Sequence, residues 1–340
     1  MIKPSVIGLD LAKTTFHLVH LNRQGREVHA KRLSRTQVAR YFAQQSPIHV
    51  AMEACGSSHY WARVLQAQGH QVELMPPQHV KAYLRGQKND YNDARAIAEA
   101  CLHGRVRPVA IKQVEQQDEQ MLHRIREQLI RERTAQANQI RGLLGERGCV
   151  IRAGLAAVRQ RVPEILAHTN PELTALSRRL VARQYARLQA LDEEIAWYDQ
   201  QLQQQVKQDE VCRRLAELPG FGPVVSSMFK SWLGSGEQFR RGRDASAALG
   251  LVPRQYTTGG KPRLGRITKC GDKSLRSLLI HGARAVVQRS GGKTDPLSCW
   301  INRLKATRGI NKATVALANK LCRIAWVLVR RGESYRPAAS

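Results

Sequence analysis

The sequence predicts a mixed α/β segment followed by a mainly helical chain, and three stretches of different texture along its 340 residues predict it. Residues 1–112 hold short apolar runs of strand length separated by amphipathic stretches. Residues 113–208 turn charged and rich in Gln, with apolar side chains spaced by three and four. Residues 209–340 return to a pattern in which Gly and Pro punctuate apolar helices. Each part is long enough to bury a core of its own.

Within the first part, "SVIGLD" and "TFHLVHL" read as an antiparallel pair of strands joined by "LAKT". "IHVAME" and "QVELM" are two further strands around a helical "SSHYWARVLQAQG". "DYNDARAIAEACLHG" reads as a helix that opens on acids and stops at Gly104. In the second part Leu188, Leu191, Ile195, Tyr198 and Leu202 form an a/d seam, which Leu122, Ile125 and Leu129 repeat. That spacing fits a dimerising coiled-coil hairpin or two amphipathic helices packed within one domain; the wide polar faces favour the coiled coil. The third part opens on "LAELPGFGPVVSSMF" and closes with the helices "DKSLRSLLIHGARAVV" and "NKATVALANKLCRIAWVLVRR".

Charge narrows the partner. Lys and Arg number 55 against 27 Asp and Glu, a net +28 with an isoelectric point near 10.6. Such a surplus repels itself unless a polyanion binds it, so nucleic acid is the first expectation. A membrane surface is the rival, but no run reaches the ~18 apolar residues of a span. No basic amphipathic helix stands apart from the folded pattern either. The seven cysteines (Cys55, Cys101, Cys149, Cys212, Cys270, Cys299 and Cys322) lie far apart with no C-x-x-C pair. This spacing argues against structural zinc and against a disulfide framework. "MIKPSVIGLD" enters a strand without a secretory apolar region, so a reduced, cytoplasmic location is expected.

Four carboxylates stand at element ends. Asp10 closes the first strand, Glu53 ends "HVAME", and Asp90 and Asp93 open the helix of "KNDYNDARA". Three residues apart, the last two share one helical face. Either acid could also serve only the helix dipole. Brought together, four carboxylates repel strongly unless divalent cations neutralise them, and hard oxygen ligands suit Mg2+ or Mn2+. Two such ions, about 3.5–4 Å apart, can clamp a scissile phosphate. The order strand-Asp, strand-Glu, then D-x-x-D opening a helix is the RNase H-like plan.

With these motifs in hand, "IGLDLAKTTFHL", "AMEACGS", "KNDYNDARAIAEA", "ELPGFGPVVSS" and "LGLVPRQYTTGGKPRLGRITKCGDKSLRSLLIHGARA" together closely resemble the DEDD-type insertion-sequence transposases. The resemblance is to the insertion-sequence one-ten family, its eleven-eleven subgroup in particular, and to relatives of the Piv invertase. It covers nearly the whole chain, with five motifs in order. It implies a RuvC-like metal-binding domain over 1–112, coiled-coil dimerisation helices over 113–208, and a C-terminal transposase domain over 209–340. It also implies a recombinase guided by a structured bridge RNA that pairs with donor and target DNA. Asp10, Glu53, Asp90 and Asp93 then take the four metal-binding acid positions. A dimer pairing into a tetramer is implied too, with the acids of one subunit completing the site around the hydroxyl of another.

The family carries a serine nucleophile immediately before a glycine, and this chain has "QYTTGG" there. Thr258 stands before Gly259 and Gly260, with Thr257 beside it. A threonine hydroxyl can attack a phosphodiester, but its methyl crowds in-line attack and restricts χ1. A working threonine nucleophile is the expectation; a weakened enzyme, or a copy that binds without cutting, are the other outcomes. The glycines let backbone approach a phosphate and adopt positive φ. Arg254, Lys261, Arg263, Arg266, Lys269, Lys273 and Arg276 can neutralise phosphates and the transition state. "LPGFG" resembles a helix-hairpin-helix turn whose Gly220 and Gly222 backbone would hold a phosphate; an ordinary Pro-Gly connection reads almost the same. Two further functions fit parts of the pattern: a RuvC-like junction nuclease using water, and a non-catalytic protein bridging RNA and DNA.

Overall fold

Period-two alternation organises the first unit of the chain, Met1–Gln116 with Gly234–Arg240. The computed structural model describes residues 5–87, 89–104, 106–168 and 170–337. Its strands are β1 (Val6–Asp10), β2 (Thr15–Leu21), β3 (Glu27–Ser34), β4 (His49–Glu53) and β5 (Gln71–Met75), interspersed with α1 (Val38–Ala43), α2 (Ser58–Ala67), α3 (Pro77–Val80), a 3-10 turn at Lys81–Tyr83 and α4 (Asp90–Leu102). They form one mixed sheet of order β3-β2-β1-β4-β5. β1, β2 and β3 pair antiparallel, whereas β4 and β5 join parallel to β1 and to each other.

Alternate side chains go to opposite faces. Ile7, Leu9, Phe16, Leu18, Val50, Met52, Val72 and Leu74 face α1 and α2, where Phe42, Trp61 and Leu65 complete one core. Trp61 meets Phe16 edge to face at 5.2 Å. Val6, Val19, Leu21, Ala51 and Met75 face the other way, against Ala94, Ile97, Ala98 and Cys101 of α4. β3 was not foreshadowed by apolar alternation, because Leu33 alone among its residues is buried. It adds as an edge strand through backbone pairing with β2.

One glycine decides how closely α4 lies. A Cβ on Gly8 would sit 2.0 Å from the Ala94 carbonyl oxygen and 2.7 Å from the Ala98 nitrogen. Helix backbone therefore rests on strand backbone with no side chain between.

The second unit, Gln117–Leu233 with Arg241–Ser340, is largely helical. Its elements are α5 (Val114–Gly145, which starts three residues earlier), α6 (Leu155–Ala167), α7 (Ala175–Gln208), α8 (Glu210–Ala216), α9 (Pro223–Leu233), α10 (Gly242–Ala248), β6 (Pro253–Thr258), β7 (Lys261–Ile267), α11 (Lys273–Gln288), α12 (Pro296–Arg308) and α13 (Ile310–Arg331). α5 and α7 run antiparallel. Arg126 pairs with Asp199 at 2.6 Å, Arg133 with Asp192 at 3.2 Å, and Gln136 with Gln184 at 2.7 Å. Leu191 and Ile195 of the seam pack on Leu129 of the same chain, and Leu188 joins Ile140 and Leu144. Ile125 remains exposed, as do Met121, Leu176, Leu180 and Trp197 on the same two helices. α13 is the centre of the rest, burying Leu317, Leu321, Ala325 and Leu328 against α10, α11 and α12.

Replacing Gly8 by Ala is expected to force α4 off β1 and to cost about 1–3 kcal/mol, the usual penalty of overpacking. Gly222→Ala, where a Cβ meets nothing within 4 Å, should stay within ~0.5 kcal/mol of the parent. Chemical denaturation of the two variants checks the difference.

Candidate active site

The sheet brings the predicted acids to one edge. β1 and β4 run parallel with Leu9 opposite Met52, so Asp10 and Glu53 end neighbouring strands side by side. Both belong to the residues of their strands that face α4. The helix begins over that edge: the Asn89 side chain caps it by accepting from the Tyr91 amide at 2.9 Å, and its first turn carries Asp90 and Asp93. Carboxylate oxygens of Asp10, Asp90 and Asp93 lie within 4.8 Å of one another. Glu53 stands close enough to Asp93 and Asp10 for their charges to act on each other.

Repulsion at this edge is large. Two unit charges about 5 Å apart repel by roughly 3 kcal/mol at an effective dielectric near 20. Burial, then the charges of Asp93, Asp90 and Glu53, push the Asp10 carboxyl from an ordinary 3.8 to about 6. Burial and Asp93 raise Glu53 as well, against an opposing pull from Lys81. Below about pH 6 the cluster thus holds a proton unless cations replace it. An all-oxygen set of this kind fits a hard divalent ion.

The candidate nucleophile is carried by a hairpin of the second unit. β6 and β7 pair antiparallel, with Thr258 opposite Lys261 across a two-residue turn. Gly259 and Gly260 have φ of +58° and +73°, the positive values at both positions that a type I′ turn requires. Pair alternation puts Tyr256, Thr258, Lys261 and Arg263 on one face. Thr257, on the other, accepts a hydrogen bond from Gln255 at 3.0 Å. Every residue of β6 is exposed.

The other predicted phosphate contacts divide. Arg266 and Lys269 line a groove of about 1640 Å³, together with Arg241, Arg243, Lys312, Lys320 and Arg323. Trp300 lies in its wall with the Lys320 ammonium 4.8 Å from the ring centre. Arg254 donates to the Thr268 carbonyl at 3.4 Å, and Lys273 begins α11. The Arg276 guanidinium is buried and donates to the carbonyls of Leu249, Cys270 and Asp272. Gly220 turns the chain between α8 and α9 with φ of +83°, and a Cβ there would meet the Gly282 backbone of α11 at 2.7 Å. Gly222 is open.

Two family models match the chain. One for DEDD transposases of IS110, described as "Transposase", covers residues 7–147, and "Transposase IS116/IS110/IS902 family" covers residues 212–296. Over the full length the chain is 46% identical to a "Probable family 20 transposase" of Pseudomonas aeruginosa, covering 98% of this chain and 99% of that one. It is 41% identical to the "Transposase for insertion sequence element IS1111A" of Coxiella burnetii, over 98% of this chain and 92% of the relative. A Yersinia enterocolitica relative, the "Transposase for insertion sequence element IS1328", is 38% identical over 96% and 97%. The chain belongs to the IS110 family of transposases. This IS110-family transposase is therefore a DNA cleavage and transfer enzyme of an insertion sequence. The first match contains all four acids and the second contains Thr258.

Sequence reasoning missed several neighbours of the acids. His17 is opposite Asp10 in the β1–β2 register, and its Nδ1 lies 3.5 Å from Asp90 Oδ2. The Tyr91 ring meets the His17 ring at 4.8 Å. Hairpin register was the signal that could have found His17. The groove lysines and arginines of α10 and α13 had no such signal, since their charges alternate with core positions along amphipathic helices.

Because folded Asp10 keeps its proton to about pH 6, ionising it costs stability as pH rises from ~4 to ~6, and the cost is complete above that window. Asp10→Asn should thus raise the Tm of chelator-treated protein near pH 7.5 and leave it unchanged near pH 3.5. Solvent screening of the half-buried group limits the gain to about 1 kcal/mol. Millimolar Mg2+ should stabilise the parent and not the variant; thermal scans with and without chelator measure both.

Proposed function

We propose that this transposase cuts and rejoins donor and target DNA through a covalent link to Thr258. In this reading Asp10, Glu53, Asp90 and Asp93 hold Mg2+ or Mn2+, and a structured guide RNA selects both DNAs by pairing. The observation that carries it is the convergence of Asp10, Asp90 and Asp93 within 4.8 Å beside Glu53. A sheet of order β3-β2-β1-β4-β5 with α4 over its acidic edge supports an RNase H-like, RuvC-like domain.

When bound, the ions would polarise the scissile phosphate and stabilise charge on the attacking and leaving oxygens. The rest of the chemistry belongs to the chain. Thr258 Oγ1 forms a bond to phosphorus and gives up its proton to solvent, while a DNA oxygen leaves and takes up a proton. Attack by the hydroxyl of the incoming strand reverses the step, restores Thr258 and conserves the number of phosphodiester bonds. Lys261, paired with Thr258 across the turn, neutralises the phosphate. The Gly-Gly turn admits it without a Cβ in the way.

The basic groove and the net charge of +28 support binding to the backbones of DNA and RNA. Among the described residues no helix is long and apolar enough to cross a membrane; the charge favours nucleic acid in the bacterial cytoplasm as the setting. Exposed Met121, Ile125, Leu176, Leu180 and Trp197 on α5 and α7 support a coiled-coil contact between chains, giving a dimer that pairs into a tetramer.

Incubation with end-labelled DNA, Mg2+ and co-purifying RNA, followed by a denaturing gel, tests the chemistry. Wild-type protein and Thr258→Ser should form a protein–DNA adduct, the serine at least as well because the crowding methyl is gone. Thr258→Ala should form none, whereas Thr257→Ala should keep a measurable amount. Cleavage without an adduct would mean that water attacks, and binding without cleavage would mean a bridging protein.

Binding should also weaken steeply with salt. A log K against log salt plot is expected to be linear, and Arg266→Ala should reduce its slope by about 1 with a uniform loss across sequences.

A further inference from the structure

The catalytic edge is not the sole group of metal-ligand side chains on this sheet. His49 opens β4, Glu73 lies in the middle of β5, and Cys101 is in the last turn of α4. Ala51 pairs with Glu73, so strand alternation sends His49 and Glu73 to the face that α4 covers. Their ligand atoms converge there. His49 Nε2 is 3.3 Å from a Glu73 carboxylate oxygen and 3.6 Å from Cys101 Sγ, and Sγ is 3.7 Å from the other Glu73 oxygen.

We propose that His49, Glu73 and Cys101 form a second, structural metal site that takes a zinc-class divalent cation. The distances argue for it first. Zinc bonded tetrahedrally to sulfur at ~2.3 Å and to nitrogen and oxygen at ~2.0–2.1 Å has edges between ligand atoms of roughly 3.3–3.6 Å. His49 Nε2 already lies at those separations from one Glu73 oxygen and from Cys101 Sγ, Sγ lies just beyond them from the other Glu73 oxygen, and the fourth corner is left for water. Charge argues for it second. Thiolate, carboxylate and neutral imidazole balance a 2+ ion, so the site adds no net charge to a place where the His49 side chain is 1% exposed and Cys101 equally buried. Binding breaks the Cys101 S–H bond as the sulfur–metal bond forms, releases the proton to solvent and changes no oxidation state.

Ligand chemistry separates this site from the acids. Those are all-oxygen and suit a hard ion, whereas a sulfur, nitrogen and oxygen set favours zinc. Position separates them too. Four strand residues from His49 to Glu53 span ~13 Å, and eight helical residues from Asp93 to Cys101 span ~12 Å. The site would pin the last turn of α4 to β4 and β5, and so hold the helix whose first turn carries Asp90 and Asp93. Cysteine spacing gives no sign of it, because His49 and Cys101 are 52 residues apart.

The test uses the full-length protein, stripped with chelator and titrated anaerobically with Co2+. One equivalent should bind with a thiolate-to-cobalt charge-transfer band and the intense visible bands of tetrahedral cobalt, and Zn2+ should bleach both. The bands should persist in Asp10→Asn, which removes a ligand of the acidic edge, and in Cys55→Ser, which removes the thiol nearest to it. They should vanish in Cys101→Ser with the far-UV circular dichroism unchanged. Absence of a thiolate band in the wild type, a measurement that needs no variant, overturns the proposal; so does a band that survives Cys101→Ser.

Discussion

Helix α4 rests on β1 backbone to backbone, and that contact governs the first unit and its acidic edge. A Cβ at Gly8 has no room beneath Ala94 and Ala98, so the helix axis sits as near the sheet as a helix can. Only from that height does the first turn of α4 bring Asp90 and Asp93 within 4.8 Å of Asp10. The apolar face of the helix provides the attraction, through Ala94, Ile97, Ala98 and Cys101 against Val6, Val19 and Ala51. Small alanines there are consistent with the close approach, since larger residues would lift the helix and part the acids.

The same contact creates repulsion among the acids. Packing pulls together carboxylates that repel one another, and the raised Asp10 and Glu53 record the cost. A protein core that assembles such a cluster spends part of its hydrophobic stabilisation on it. Divalent cations bound there would offset this repulsion, and their binding would then be coupled to the seating of α4. The His49, Glu73 and Cys101 group at the far end of the helix acts on the same element. With both proposed ions bound, one helix would be held at its start by hard oxygen ligands and at its end by softer ones.

The second unit solves a different problem. A proposed nucleophile that must meet DNA cannot be buried, and Thr258 ends a strand whose residues are all exposed. Backbone pairing with β7 and a Gly-Gly turn keep the hairpin defined without a core of its own. Its base is tied down by Arg276, whose buried guanidinium binds the carbonyls of Leu249 and Cys270. The groove beside it draws positive charge from α10 and its N-cap, from β7 and the loop that follows it, and from α13, around Trp300. Charge that the composition reports as a bulk surplus becomes a shaped surface only through this packing.

The sequence by itself determined the elements whose period or end signals are local. Alternating apolar runs marked β1, β2, β4 and β5, and the acids with Gly104 marked the limits of α4. Asp10, Glu53, Asp90 and Asp93 were singled out because each stands at an element end, and Thr258 because the resemblance places it where the family carries a serine before a glycine. β3 was not, since an edge strand that buries Leu33 alone needs no apolar pattern. The α5 and α7 seam was visible, but its partner within the chain was a matter of how two helices meet. Tertiary structure alone decided the distances: that His17 reaches Asp90, that Arg276 turns inward, and that His49, Glu73 and Cys101 converge from 52 residues of chain. The physical reason is that periodicity is a property of neighbours along the chain, whereas electrostatics and ligand geometry depend on separation in space, which strand register and the seating of α4 on Gly8 set.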